Sequence, residues 1–183
     1  ERKISRAPVS KSFKSILISN KLATPEQLAP IIRGAVAIPD GDGWRRFVMD
    51  FRNSDLVMKF VNGQDIKRYA TKGPVTPDHV IRTKPMPLIL SPPSDLSLGT
   101  LGETVEAAVR SYVLEYEKYF VRNNKQLNLP KTAVDPMPRV VLVQGVGLFA
   151  LGKSSKDAKI AADIAETAAR VIVDAERLGS FDC

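Results

Sequence analysis

Two apolar runs, Val140-Val141-Leu142-Val143 (entered from Arg139) and Leu148-Phe149-Ala150-Leu151, are separated by only Gln144-Gly145-Val146-Gly147. Each run is short and rich in β-branched or aromatic residues, as expected for a strand buried on both faces. A parallel crossover needs a dozen or more residues, so this connection makes the pair antiparallel. Ser154-Ser155-Lys156-Asp157 then caps a long Ala-rich helix that runs to about Leu178 and stops at Gly179. Strands covered on both faces need helices on both sides. The pattern predicts a three-layer α/β/α fold with a largely antiparallel central sheet and the pair 139–144 and 147–151 at its centre.

The remaining segments fit that frame. Thr24-Pro25-Glu26-Gln27 combines a capping threonine, Pro at the first helical position and Gln to close a capping box. Leu28, Ile31, Ile32, Ala35 and Val36 then share one face of a helix over about 24–36. Pro39 to Gly43 reads as a turn, and Arg46 to Phe51 as a half-buried strand in which Phe47, Met49 and Phe51 alternate inward. Ser54-Asp55 opens a short helix that ends at Asn62-Gly63, with another helical turn or two over Gln64 to Ala70. Pro85 to Leu90 is extended and apolar, and Ser91 to Gly102 reads as a loop. Thr104 is the expected start of a helix to about residue 122, striped by Val105, Val109, Tyr112, Val113, Tyr116 and Phe120. Its tyrosines fit core and rim packing, and Asn123 to Pro138 is a polar connection.

Charge is uneven. In residues 1–22, Arg2, Lys3, Arg6, Lys11, Lys14 and Lys21 face only Glu1, so five of the seven net positive charges lie there. That segment reads as a basic linker or lead-in before a domain over 23–183. Phe13 is the only aromatic among those cations, which leaves no stacking surface for single strands, and the rest is close to neutral. Nucleic acid is not an expected partner. No apolar run approaches the roughly 20 residues of a membrane span. The single cysteine, Cys183, excludes an internal disulfide and a cysteine metal cluster, which fits a reducing, cytoplasmic setting. With no initiator Met, the sequence reads as a piece of a longer protein.

The densest cluster of functional groups is Thr76-Pro77-Asp78-His79-Val80-Ile81-Arg82-Thr83-Lys84-Pro85, which holds the only histidine. Val80 and Ile81 between two prolines predict a short strand. His79, Ile81 and Thr83 would then share one face, with Asp78, Val80, Arg82 and Lys84 on the other. Arg82, Thr83 and Lys84 are candidate ligand- or phosphate-binding residues. Lys153, beside the N-terminus of the last helix, is another. His79 is the best catalytic candidate and the one candidate metal ligand; a structural or interface role is open to it as well. A zinc site takes three or four ligands, and one histidine among carboxylates makes a poor one. No Gly-x-Ser-x-Gly elbow exposes a nucleophile. Gly145 to Gly152 invites a nucleotide reading, but an apolar strand separates its glycines from the helix.

Two stretches carry a resemblance. TPDHVIRTKP, from Thr76 to Pro85, and PRVVLVQGVGLFALGKSSKDAKIAADIAETAARVI, from Pro138 to Ile172, resemble the middle region of bacterial bifunctional proteins. Those proteins join a class II aldolase/adducin-like part to a C-terminal short-chain dehydrogenase. In active class II aldolases a His-Gly turn supplies one of three histidines that hold a divalent metal, usually zinc. Here the matching residues are Val146-Gly147, followed by Gly152-Lys153 and the long helix. His79 stands for an earlier His-x-His pair whose second member is Ile81. Neither Val146 nor Ile81 can ligate a metal. The resemblance therefore implies a metal-site-degenerate aldolase-like module that needs no cofactor of its own and supports domain packing or oligomerisation. It also implies a parent acting on a sugar or sugar phosphate with Zn and NAD(P). Expected partners are other domains of the same polypeptide and further copies of the chain. The competing expectation is a lyase half-site that binds a sugar phosphate or metal through His79, Arg82 and Lys84 and is completed by another domain or chain.

Overall fold

The computed structural model describes residues 12–18, 22–93, 97–126 and 131–181. The basic lead-in therefore falls largely outside the described residues. Its part at 13–16 lies against the domain: Ile16 N donates to Asn62 O at 2.8 Å, and Gln64 N to Lys14 O at 2.9 Å.

Helix α1 (Pro25–Ala35) opens with the expected capping box, Thr24 and Gln27 each bonding the other's backbone N–H. A short hairpin, β1 (Ile38–Asp40) with β2 (Gly43–Arg45), precedes β3 (Val48–Arg52). The strand expected from Arg46 starts later, because Phe47 turns into the core and Arg33 Nε bonds its carbonyl at 3.0 Å. Then follow α2 (Asp55–Val61), α3 (Ile66–Tyr69), a 3₁₀ turn at Pro77–His79, α4 (Val80–Thr83), β4 (Leu88–Leu90), α5 (Leu98–Asn124), β5 (Val140–Val143), β6 (Gly147–Gly152) and α6 (Ser155–Leu178). Helix α5 begins six residues before the expected Thr104. Ser97 accepts from Thr100 N and caps it, and the helix carries Gly99 and Gly102 through tertiary packing.

The main sheet has the order β3-β6-β5-β4, so the apolar pair β5 and β6 is central. It is mixed: β3–β6 and β5–β6 are antiparallel, and β4–β5 is parallel. Period-2 alternation divides two buried clusters between its faces. Val141, Val143, Phe149 and Leu151 pack with α1 and α5. Val140, Leu142, Leu148 and Ala150 pack with α2, α3 and α6. Among the described residues each cluster holds sixteen buried side chains, and at roughly 1.5–3 kcal/mol per large apolar side chain their burial is a large stabilising contribution.

The strand expected at His79 does not form. Pro77 sits at the first position of the 3₁₀ turn, and Thr83 Oγ1 bonds the His79 carbonyl one helical turn back at 2.9 Å. These local bonds outweigh the strand preference of Val80 and Ile81. The two-face division goes with the strand: Ile81, expected beside His79, is 82% exposed.

Candidate functional site

Lys84 ends α4 with φ 65° and ψ 168°, the only positive φ outside glycine among the described residues. This bend turns its side chain inward, leaving it 7% exposed. Nζ donates to the Asp135 carbonyl at 2.6 Å and lies 4.0 Å from the centre of the Tyr116 ring. No carboxylate lies within ion-pair range of it among the described residues. Burial first, then the Arg139 charge, pushes the ammonium down to about 8 against the pull of Asp135.

Asp135 and Arg139 form the floor of this region, with Arg139 Nη2 donating to Asp135 Oδ2 at 2.6 Å. The guanidinium lies 4.6 Å from the Phe47 ring centre and donates to Met137 O at 2.9 Å. Burial works to raise the Asp135 carboxyl. The hydrogen bond and charge of Arg139, with Lys84 behind them, outweigh it and hold the carboxyl below its ordinary value. In the sequence, Asp135 falls in the polar connection from Asn123 to Pro138 and Arg139 directly after it. The usable signal was an acid–base pair four residues apart, leading through two prolines into a buried strand.

Three of the expected residues meet here. Arg82, Lys84 and Lys153 line one open cavity of about 520 Å³ together with Asp135, Arg139 and Asp157. Tyr116 and Tyr119 form its aromatic wall, their ring centres 6.3 Å apart. Arg82 is paired with Asp157 at 3.3 Å, and Asp157 also joins the Ser154 cap of α6. Lys153 makes no ion pair among the described residues. The cavity sits where β5 begins and β6 ends, at the opposite end of that hairpin from the Gly145–Gly147 turn.

His79 and Thr83 lie elsewhere. Both line a small apolar cavity of about 60 Å³ against Val140, Leu142, Leu148 and Ile172, on the α6 side of the sheet. His79 Nδ1 is buried there without a hydrogen-bond partner. Lys84 also borders this space, so it separates the two cavities.

Val146 is 7% exposed and packs with the cluster on the α1 and α5 side. His79 and Val146 therefore belong to opposite faces of the sheet. The turn is closed by Val146 N to Val143 O at 3.1 Å, and Asn62 Oδ1 accepts from Gly145 N at 2.7 Å. Gly147 has φ 145°, and a Cβ there would stand 2.5 Å from the Arg52 carbonyl, so this glycine is required by the turn. The glycines of this stretch thus serve a hairpin and not a nucleotide loop. Val146 and Ile81 have no donor atom for a divalent metal, and among the described residues no group of three or more His, Cys, Asp or Glu is placed to hold one.

A second polar cluster, unremarked in the sequence, ties β3 to α6. Arg52 contacts Asp50 at 2.7 Å, Asp163 at 2.9 Å and Glu166 at 3.1 Å. Ser54 Oγ donates to Glu166 at 2.5 Å. Among the described residues, no helix is long and apolar enough to cross a membrane.

Comparison with known proteins places this arrangement. The family described as "Aldolase class II, second domain" matches residues 23–183. A protein named "Uncharacterized oxidoreductase YuxG", from Bacillus subtilis (strain 168), is 28% identical over 155 residues. That match covers 84% of this chain but 21% of the relative, so the chain spans about a fifth of the relative's length. No solved structure matches. With nearly the whole described domain inside the family match, the chain belongs to the aldolase class II second-domain family.

Proposed function

We propose that this domain is a metal-free member of its family that serves as a packing or assembly module. Its setting is a longer polypeptide that pairs an aldolase part with a short-chain dehydrogenase in carbohydrate metabolism. The observation that carries the reading is Val146: the position matching the metal histidine of active class II aldolases is an apolar side chain, 7% exposed in the core. His79 lines the other side of the sheet, so no pair of donors is available across it. The YuxG relative, named an oxidoreductase and far longer than this chain, supports the fused setting. In this reading the zinc and the nicotinamide cofactor belong to other parts of the parent. Within a bifunctional enzyme of this kind the setting is cytoplasmic.

The lyase half-site reading has one observation in its favour, the convergence of Arg82, Lys84 and Lys153 on one cavity. It loses His79, which lines the small apolar cavity with Thr83, away from the one that Arg82 and Lys153 line. The test is an aldol-cleavage assay of the chain on sugar phosphates with added zinc. Rates at background, unchanged in His79→Ala, are expected. Zinc-dependent cleavage that disappears in His79→Ala would reinstate the half-site.

A further inference from the structure

We infer that Lys84 is an amine nucleophile, which captures a small anionic aldehyde or keto compound as an imine in the cavity between α4, α5 and the start of α6. This goes beyond the packing role, needs no metal, and fails independently of it.

Three observations converge on this lysine. First, among the described residues it is buried without a carboxylate at ion-pair distance, whereas the neighbouring Arg139 has one at 2.6 Å. Lysines are almost never buried unpaired, because losing water disfavours the ammonium. Its one hydrogen bond, to the Asp135 carbonyl, is equally available to a neutral amine. Second, the residue is held at φ 65°, a conformation that side-chain-bearing residues avoid. Such strain persists where the surroundings fix a side chain in place, and it collects at functional positions. Third, Lys84 lines a cavity of about 520 Å³ together with Asp135 and Tyr116, the two residues its Nζ contacts, and with Lys153, which makes no ion pair among the described residues, and the half-exposed Arg82. These suit a carboxylate or phosphate on the carbonyl compound, while Tyr116 and Tyr119 supply a dry wall.

The chemistry balances without an oxidant or reductant. The Nζ lone pair attacks the carbonyl carbon, the C=O pair moves to oxygen, and a nitrogen proton passes to that oxygen to give a carbinolamine. Loss of that hydroxyl with the second nitrogen proton, as one water, leaves the C=N bond. A pKa held down to about 8 keeps a far larger neutral fraction at pH 7.5 than an exposed lysine has.

The test is reductive trapping of the full chain with glyoxylate and cyanoborohydride at pH 7.5, read as labelled peptides by mass spectrometry. Propanal serves as the uncharged comparison. Lys84 is expected to label at least about tenfold faster than exposed Lys67 and Lys118, given the larger neutral fraction, and faster with glyoxylate than with propanal. Lys84→Arg should lose that label alone. Lys153→Ala, a change at an exposed residue, should slow glyoxylate labelling of Lys84 while leaving propanal labelling unchanged. Lys84 labelling no faster than Lys67 and Lys118, or equal rates from both aldehydes, would overturn the inference.

Discussion

The most informative perturbation places at Val146 the histidine that the resemblance to active class II aldolases implies for this position. Val146→His removes an aliphatic side chain that is 7% exposed and contacts the cluster on the α1 and α5 side. Losing that burial costs about 1.5–2 kcal/mol. The imidazole then either leaves a nitrogen unsatisfied in the core, at about 1–3 kcal/mol, or swings out and exposes the pocket. Gly145 and Gly147 restrict the second route, because a Cβ at either would already lie within 3 Å of neighbouring atoms. With the nitrogen left in the core the expected loss is about 2.5–5 kcal/mol, a fall in Tm of roughly 5–20 °C for a domain of this size. Thermal unfolding with and without one equivalent of zinc reads both parts. Zinc should not restore the loss, since His79 lies across the sheet. A variant as stable as wild type, or one that gains several degrees from zinc, would refute the placement of Val146 as core.

Other outcomes follow from single contacts. His79→Leu should be neutral or stabilising by up to about 1 kcal/mol in urea unfolding, because it removes an unpartnered buried Nδ1 from an apolar cavity. Lys84 has a folded pKa pushed below its unfolded value, so between about 8 and 10.5 the unfolded chain binds the extra proton and stability rises with pH. Denaturant unfolding at pH 8 and pH 10 should show this rise after subtraction of the Lys84→Met profile; identical profiles would count against it. Arg52→Ala leaves Asp50, Asp163 and Glu166 facing one another between β3 and α6 and should cost about 1–2 kcal/mol, less at high salt.

The parts of the fold that were legible in the sequence were those whose signal is local and redundant. The Thr24–Gln27 capping box, the β5–β6 hairpin and the Ser154-capped α6 each combine a start or turn signal with a matching apolar period. The failures lie where one local preference was weighed against contacts unknown in advance. Val80 and Ile81 favour a strand, yet Pro77 and the Thr83 hydroxyl fix a helical turn. Gly99 and Gly102 suggest a loop, yet Leu101 and Val105, 3% and 1% exposed, keep that turn helical. The same limit holds at the site. Arg82, Lys84 and Lys153 were candidates by residue type, but their meeting with Asp135, Arg139 and Tyr116 depends on how distant segments pack. The position of Lys84 between the His79 cavity and the larger one goes with a backbone bend at Lys84 that no neighbouring glycine announces.

The central proposal, that this domain holds no metal of its own, is tested most directly by elemental analysis of the protein purified without chelator and after zinc loading and desalting. Well under one zinc or other divalent transition metal per chain is the expected result, unchanged in His79→Ala. One tightly held metal per chain, lost in His79→Ala, would contradict the account.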